Sequence, residues 1–296
     1  MVKRIKGNRT MSLSGKNIMR AAAAIISSAA LALTAACGSG NDAKSSSANS
    51  NDITQQTVAP GKLTIATGDP AYEPWVMNDK PESGKGYEAA VAYAVAEKMG
   101  FKKSDVVWTR TTFDSAIAPG AKDWDMNIQQ FGITPERKKA VDFSASYYND
   151  SQAIIVKKDG KYAKAKSLND LKDATIGAMV GTEGYKYAKK IKDDIQTFND
   201  DAAVGQALDA GQIDALVTST VECVYMVDSD QVKNATVLGR IANSTDPNGM
   251  GIVLPKDSKL TAAASKAVKE LNADGTIKAL QDKWLAEYTT DLAELK

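Results

Sequence analysis

Residues 174–218 read ATIGAMVGTEGYKYAKKIKDDIQTFNDDAAVGQALDAGQIDALVT, and their rhythm decides the fold class. Three short apolar runs, ATIGAM, IQTF and DALVT, alternate with two longer stretches of helical pattern, TEGYKYAKKI and DAAVGQALDAG. Strand and helix signals in alternation point to α/β layers. The same alternation occurs earlier in the chain. KLTIAT reads as a strand, and GYEAAVAYAVAEKMG as a helix with Tyr87, Val91 and Val95 at i+4 spacing and Gly100 as its stop. DVVWTR, FDSAIA and WDMNIQQ follow as strand, short helix and strand. Two successive α/β units on mixed sheets are expected. SQAIIVKK and GMGIVLPK flank the second unit and suit strands that cross between the units.

Farther toward the N-terminus the composition changes. The first 37 residues carry Lys3, Arg4, Lys6, Arg9, Lys16 and Arg20 and no acid, and an uncharged run follows from Ala21 to Ala36. A basic start and a short, Ala-rich apolar run ending in small residues make a secretory signal, over residues 1–36. Sixteen residues are short for a membrane span. The run ends LTAAC, which resembles the lipobox of bacterial lipoproteins, with Cys37 as the lipidated new N-terminus and Thr34 where a large aliphatic residue is more usual. A diacylated cysteine gives stable anchoring, so the outer face of a bacterial cell membrane is the expected location. Residues 37–60 are polar and are expected as a flexible tether.

The whole chain has 37 basic and 36 acidic residues; without the signal the balance is 31 against 36. That argues against nucleic acid, which needs a basic footprint. With Cys37 lipidated, Cys223 has no partner for an intrachain disulfide and reads as a small buried residue. There is no histidine, the commonest general base and metal ligand. DWDMN, from Asp123, begins like a calcium loop but has Ile128 at the sixth position and Thr134 at the twelfth. SGKG, Ser83 to Gly86, lacks the Ser or Thr of a phosphate loop. No metal, cofactor or catalytic residue is expected.

Arg137 stands out. Thr134 suits an N-cap and Pro135 a first helical position, which places Arg137 in a first helical turn, at the positive end. A guanidinium beside free amides makes a carboxylate site. A solvated arginine is the other reading, and these residues alone leave both open.

ITPERKKAVDFSASYY, residues 133–148, resembles the signature of the family 3 solute-binding proteins, the polar amino-acid receptors of ABC importers. LTIATGDPAYEPW, GYEAAVAYAVAEKMG, TTFDSAIA, AGQIDALV and the run from GIVLPKDSKL to LQDKWL fit the family in the same order, so the resemblance covers residues 61–288. It implies an α/β, two-lobe periplasmic-binding-protein-like fold (type II) with two hinge strands. Lobe one is expected over residues 61–154 and 251–296, lobe two over 155–250, with ligand in the cleft between them. It also implies that Arg137 clamps the ligand carboxylate and that Tyr72 and Phe113 form aromatic walls. Ordinary core packing is the alternative for those two rings. Gln130 and Gly132 match the loop that bonds the ligand head group. Thr182 and Glu183 match the lobe-two turn whose helix-start amides meet the carboxylate, or form a plain N-cap. Asp69 matches a position that reaches the distal end of a basic ligand, or is a solvated loop acid.

One position departs from the family. An Asp that pairs with the ligand α-ammonium usually follows the strand DALV, and Ser219 stands there. Glu183, Glu222 and Asp69 are candidates to replace it, or Ser219 itself binds the ligand through a weaker neutral bond and the ligand is still an amino acid. The expected protein is a monomeric, lipid-anchored receptor for a small carboxylate solute, an amino acid first among them, with an ABC permease as its partner. The alternatives are an enzyme on the same fold, resembling cyclohexadienyl dehydratase, and a ligand-sensing receptor.

Overall fold

The computed structural model describes residues 52–289 and 291–296. The signal segment, Cys37 and the tether up to residue 51 lie outside the described residues.

The first α/β unit runs β1 (Leu63–Thr67), α1 (Tyr87–Lys98), β2 (Val106–Arg110), α2 (Phe113–Ile117), β3 (Met126–Asn127) and β4 (Val141–Tyr148). The second runs β5 (Gln152–Lys157), β6 (Ile176–Met179), α3 (Glu183–Ile191), β7 (Gln196–Phe198), α4 (Asp201–Asp209), β8 (Ala215–Ser219), α5 (Thr220–Asp228) and β9 (Ala235–Ile241). The chain then returns through β10 (Met250–Pro255), α6 (Thr261–Ala273) and α7 (Thr276–Trp284), and finishes in β11 (Glu294–Leu295). Each run read from the alternation is the element it was expected to be. β3 is short, two residues out of WDMNIQQ.

Two mixed sheets result. The first has strand order β2-β1-β3-β10-β4 and the second β11-β9-β5-β8-β6-β7. β1 pairs parallel with β2 and β3, and β6 parallel with β7 and β8; β10 and β5 are the antiparallel members. Helix α1 buries Tyr87, Val91 and Val95 against the first sheet, beside Val268 of α6 and Ile277 of α7. The second sheet is covered on both faces. Along β5, Ile154 and Val156 pack with Ala188 of α3, while Ala153 and Ile155 pack with Leu208 of α4 and Met226 of α5. That double burial is why AIIV is continuously apolar. Cys223 sits fully buried in the α4–α5 layer.

The two apolar flanking runs are β5 and β10, one in each sheet, and the chain changes sheet in the short loops just before them. Gln152–Ile154, expected in lobe one, therefore belong to the second sheet. The C-terminal end does too. β11 pairs parallel with Arg240 and Ile241 of β9, and Leu295 is buried. Gly239 makes this possible, since a Cβ there would meet Ala293 O at 2.6 Å and Leu295 Cγ at 2.9 Å. A two-residue strand has no period of its own.

Residues 52–60 also depart from the expected tether. Asp52 accepts the Thr54 N–H at 3.0 Å at the start of a 3₁₀ turn, Thr57 is buried, and Ile53 packs on the first core. The Val58 N–H donates to Asp125 Oδ1 at 2.7 Å, and Thr64 N–H takes the other oxygen at 2.7 Å. Composition does not reveal this attachment, because Asp125 lies 67 residues away.

Candidate functional site

In open α/β sheets a crevice forms beyond the carboxyl ends of the strands. Here the strand ends of both sheets face one cavity of about 240 Å³. The loops after β1 (68–72), β3 (129–132), β6 (182–184) and β7 (199–201) line it, with Ser219 closing β8 and Asp150 and Asp246 from the loops between the sheets. All nine residues singled out from the sequence line this cavity: Asp69, Tyr72, Phe113, Gln130, Gly132, Arg137, Thr182, Glu183 and Ser219.

Arg137 is not a solvated charge; it is 8% exposed. The expected helix around it is only a 3₁₀ turn, Arg137–Lys139, with Thr134 Oγ1 accepting the Arg137 N–H at 3.2 Å. So short a turn supplies no helix-dipole site, and that part of the expectation fails. What holds the guanidinium is packing and two carbonyls. It lies 5.2 Å from the Phe113 ring centroid and 5.9 Å from that of Phe131, and those rings stack at 4.5 Å. Nη1 donates to Gly132 O and Nη2 to Gly181 O, both at 2.8 Å. Gly132 precedes Arg137 and Gly181 follows β6, so the side chain bridges the two halves of the molecule. Burial pulls its pKa down, against Glu183, Asp246 and Asp114, whose charges raise it. A guanidinium carries five N–H donors, so two carbonyl bonds leave donors for a bound anion.

Across the cleft from Arg137, Thr182 caps α3. Its Oγ1 accepts the Tyr185 N–H at 3.1 Å and donates to Met179 O at 2.7 Å. The first-turn amides of a helix have no partner within it, and Glu183 and Gly184 at the start of α3 line the cavity. Gly184 is required there, because a Cβ would meet Val217 O of β8 at 2.8 Å. The Glu183 carboxylate turns to Lys186 at 2.6 Å.

Gln130 lines the cavity, and two of its bonds run back to the wall behind it. Its backbone N–H donates to Glu88 Oε1 at 2.8 Å and its amide Nε2 to Glu88 Oε2. These bonds leave the second amide N–H and the amide oxygen of Gln130 for the expected head-group contacts. Glu88 is fully buried, also accepts from the Tyr147 hydroxyl, and is pushed by burial up to about 7, against the pull of these hydrogen bonds. It holds Gln130 at φ 53°, a left-handed conformation. Asp69 stands exposed at the rim.

Ser219 is the N-cap of α5, its Oγ accepting the Glu222 N–H at 3.2 Å. Around it stand three acids. Asp150 accepts the Ser151 N–H at 2.7 Å, and burial raises it to about 6 against the nearby Ser219 hydroxyl. Asp201 keeps part of its surface open to the cavity yet is set deep, and burial raises it to about 6 as well. Glu222 is 4% exposed and raised well above its ordinary value, first by burial and then by Asp201. Tyr72 is raised by burial and by Asp200, Asp201 and Glu222. Asp150, Asp201, Asp246 and Trp75 were not singled out as site residues. Trp75 lies within a quoted motif and Asp201 opens the run DAAVGQALDAG, behind Asp200, a plain N-cap of α4 whose Oδ1 accepts the Ala203 N–H at 2.7 Å, while Asp150 falls between two quoted runs. Among the described residues no group of His, Cys, Asp and Glu is disposed to hold a metal ion, and no helix is long and apolar enough to cross a membrane.

Bonds between the halves close the cleft. Besides Arg137 to Gly181, the Tyr225 hydroxyl of α5 donates to Glu73 Oε2 at 3.2 Å, and the Tyr225 ring meets Tyr288 edge-on at 5.6 Å.

The family described as bacterial extracellular solute-binding proteins, family 3, matches residues 63–287. The L-cystine-binding protein TcyA of Bacillus subtilis (strain 168) is 28% identical over 262 residues, 87% of this chain and 94% of that protein. The ABC transporter arginine-binding protein 1 of Escherichia coli (strain K12) is 31% identical over 212 residues, 68% and 82% of the two chains. Among solved structures, an ancestral arginine-binding protein bound to arginine superposes with a TM-score of 0.65 at 31% identity, covering 76% of this chain and 98% of that one.

Proposed function

The chain belongs to the bacterial extracellular solute-binding proteins, family 3, with the two-lobe type II periplasmic-binding-protein fold, and from there we propose that it captures an amino acid between its halves and hands it to an ABC permease. The observation that carries this is Arg137, buried in the cleft with N–H donors to spare opposite the α3 N-terminus. The ligand carboxylate sits between them, taking a bidentate bond from the guanidinium and amide bonds from the helix start. Phe113 stacks on the guanidinium, and Tyr72 walls the cavity. Gly132 lets the loop pass close to Arg137, Glu183 and Asp246, all within 3.5 Å of where its Cβ would be. Closure of the halves around ligand is the hinge motion of this class of protein. The solute is released unchanged, and Cys37 carries a lipid that keeps the receptor at the outer face of the membrane.

The rival reading, an enzyme, finds its support in Glu222, a cleft carboxyl whose raised pKa suits a general acid. Recovery of the bound solute intact after prolonged incubation separates the two.

Because Arg137 also ties the halves together, its test must separate clamp from latch. Calorimetry compares an amino acid with its C-terminal amide, on wild type and on Arg137→Ala. The wild type is expected to prefer the acid by tenfold or more. Arg137→Ala is expected to bind the acid about a hundredfold more weakly, at about 1.4 kcal/mol per decade, and to lose the preference. A variant that binds weakly but still prefers the acid would leave Arg137 as a latch only.

A further inference from the structure

We propose that Asp150, Asp201 and Glu222 form a subsite for a protonated, N–H-bearing nitrogen of the solute, an ammonium or a guanidinium. The proposal rests on the reading of this cavity as the binding site, and deepens it by naming the cation that the Ser219 departure leaves without its usual anchor.

The charge balance of the cavity comes first. Seven carboxylates line it, against Arg137 as its one basic residue. Glu183 is paired with Lys186, and Asp246 stands beside Arg137. Among the described residues none of Asp150, Asp201 and Glu222 takes part in an ion pair with Lys or Arg. Asp150 and Glu222 are buried and Asp201 is half-buried, both aspartates act on Glu222, and with no cation beside them the group is held only at a cost, since buried charges are ordinarily paired. A bound proton relieves part of that cost, and a bound cation relieves more.

Glu222 shows where the cation goes. It is 96% buried, lines the cavity, and its Oε1 has no hydrogen-bond partner. The Trp75 side chain favours its charge, while Asp201 and Asp150 both act against it. An orphaned buried acceptor asks for a donor. The Tyr72 hydroxyl, also without a partner of normal geometry, stands in the same group. A quaternary ammonium has no N–H to satisfy either atom, which narrows the class to N–H cations. Arg137 has a separate set of neighbours, Gly132, Gly181, Glu183 and Asp246, so carboxylate and nitrogen have distinct places. The nitrogen is either the α-ammonium or a distal group, and both present the same chemistry.

The full chain is tested by calorimetry with norleucine, 6-aminohexanoate, lysine, 1,5-diaminopentane and the nitrogen-free hexanoate, on wild type, Glu222→Gln and Asp201→Asn. Each variant is expected to weaken at least one nitrogen-bearing probe tenfold or more, and to leave hexanoate unchanged. Loss confined to norleucine and lysine places the α-ammonium in the subsite; loss with 6-aminohexanoate or the diamine places a distal nitrogen there. Both variants are expected to keep a cooperative thermal transition, so that a loss of binding is not a loss of fold. Nitrogen probes that need Glu222, together with norleucine and hexanoate binding that is indifferent to Arg137→Ala, would uphold the subsite while the carboxylate reading falls. Equal losses for hexanoate, nitrogen probes that bind the variants as tightly as wild type, or a wild type that binds no nitrogen probe would each overturn the proposal.

Discussion

Glu88→Gln reports on the clamp behind the cavity wall. In the folded protein burial lifts Glu88 from an ordinary 4.5 to about 7, despite donors from Tyr147 and twice from Gln130. A folded pKa above the unfolded one means stability that is fully present below about pH 4.5 and is lost as pH rises through about 7. At 1.36 kcal/mol per unit the whole loss is about 3.4 kcal/mol, of which about 2.5 falls between pH 5 and pH 8. Tyr147 and Tyr87, the titratable groups beside it, are both raised well clear of that window. Glutamine removes the ionisation but brings an NH₂ to a site built from donors, leaving one buried donor unpaired at about 1–3 kcal/mol. Near pH 5 the variant is therefore the less stable protein. By pH 8 it has regained about 2.5 kcal/mol relative to wild type and is equal or better. Urea unfolding of both proteins from pH 5 to pH 8, without ligand, measures the difference curve. Other raised acids such as Asp150 and Asp201 affect both proteins alike and cancel. Parallel curves would refute the reasoning, because Glu88 would then ionise as easily folded as unfolded. Ligand affinity is a second readout, since releasing Gln130 from its left-handed conformation should loosen the wall.

Cys37→Ala is expected to abolish lipid attachment, seen as loss of the lipid mass and of labelling by a fatty-acid analogue; a variant that still takes the label would end the lipoprotein reading. Leu295→Ala removes a side chain 2% exposed at the β11–β9 pairing and should cost about 2–3 kcal/mol in chemical denaturation, the lower part of the range for such truncations. A loss below about 0.5 kcal/mol would mean that the C-terminal strand adds little to the second sheet.

The alternating pattern of residues 174–218 was enough for the α/β class, because strand and helix periods are local properties of the chain. Collinear motifs placed nine residues in one cleft, Arg137 among them. They did so because loops at the carboxyl ends of parallel strands must converge. What periodicity could not carry was any contact made across the chain. Asp125 fastening Val58, β11 joining β9 beside Gly239, and Glu88 taking the donors of Gln130 each join segments without a pattern of their own. The helix expected at Arg137 was read from cap residues that fit, yet the chain turns back into β4 after one 3₁₀ turn, and buried aromatic rings replace the helix dipole as the guanidinium's support. The sequence also marked Ser219 as a departure but could not show what surrounds it. Asp150, Asp201 and Glu222 come from three separate segments, and only the packing of α4 and α5 against the second sheet brings their charges to one side of the cavity.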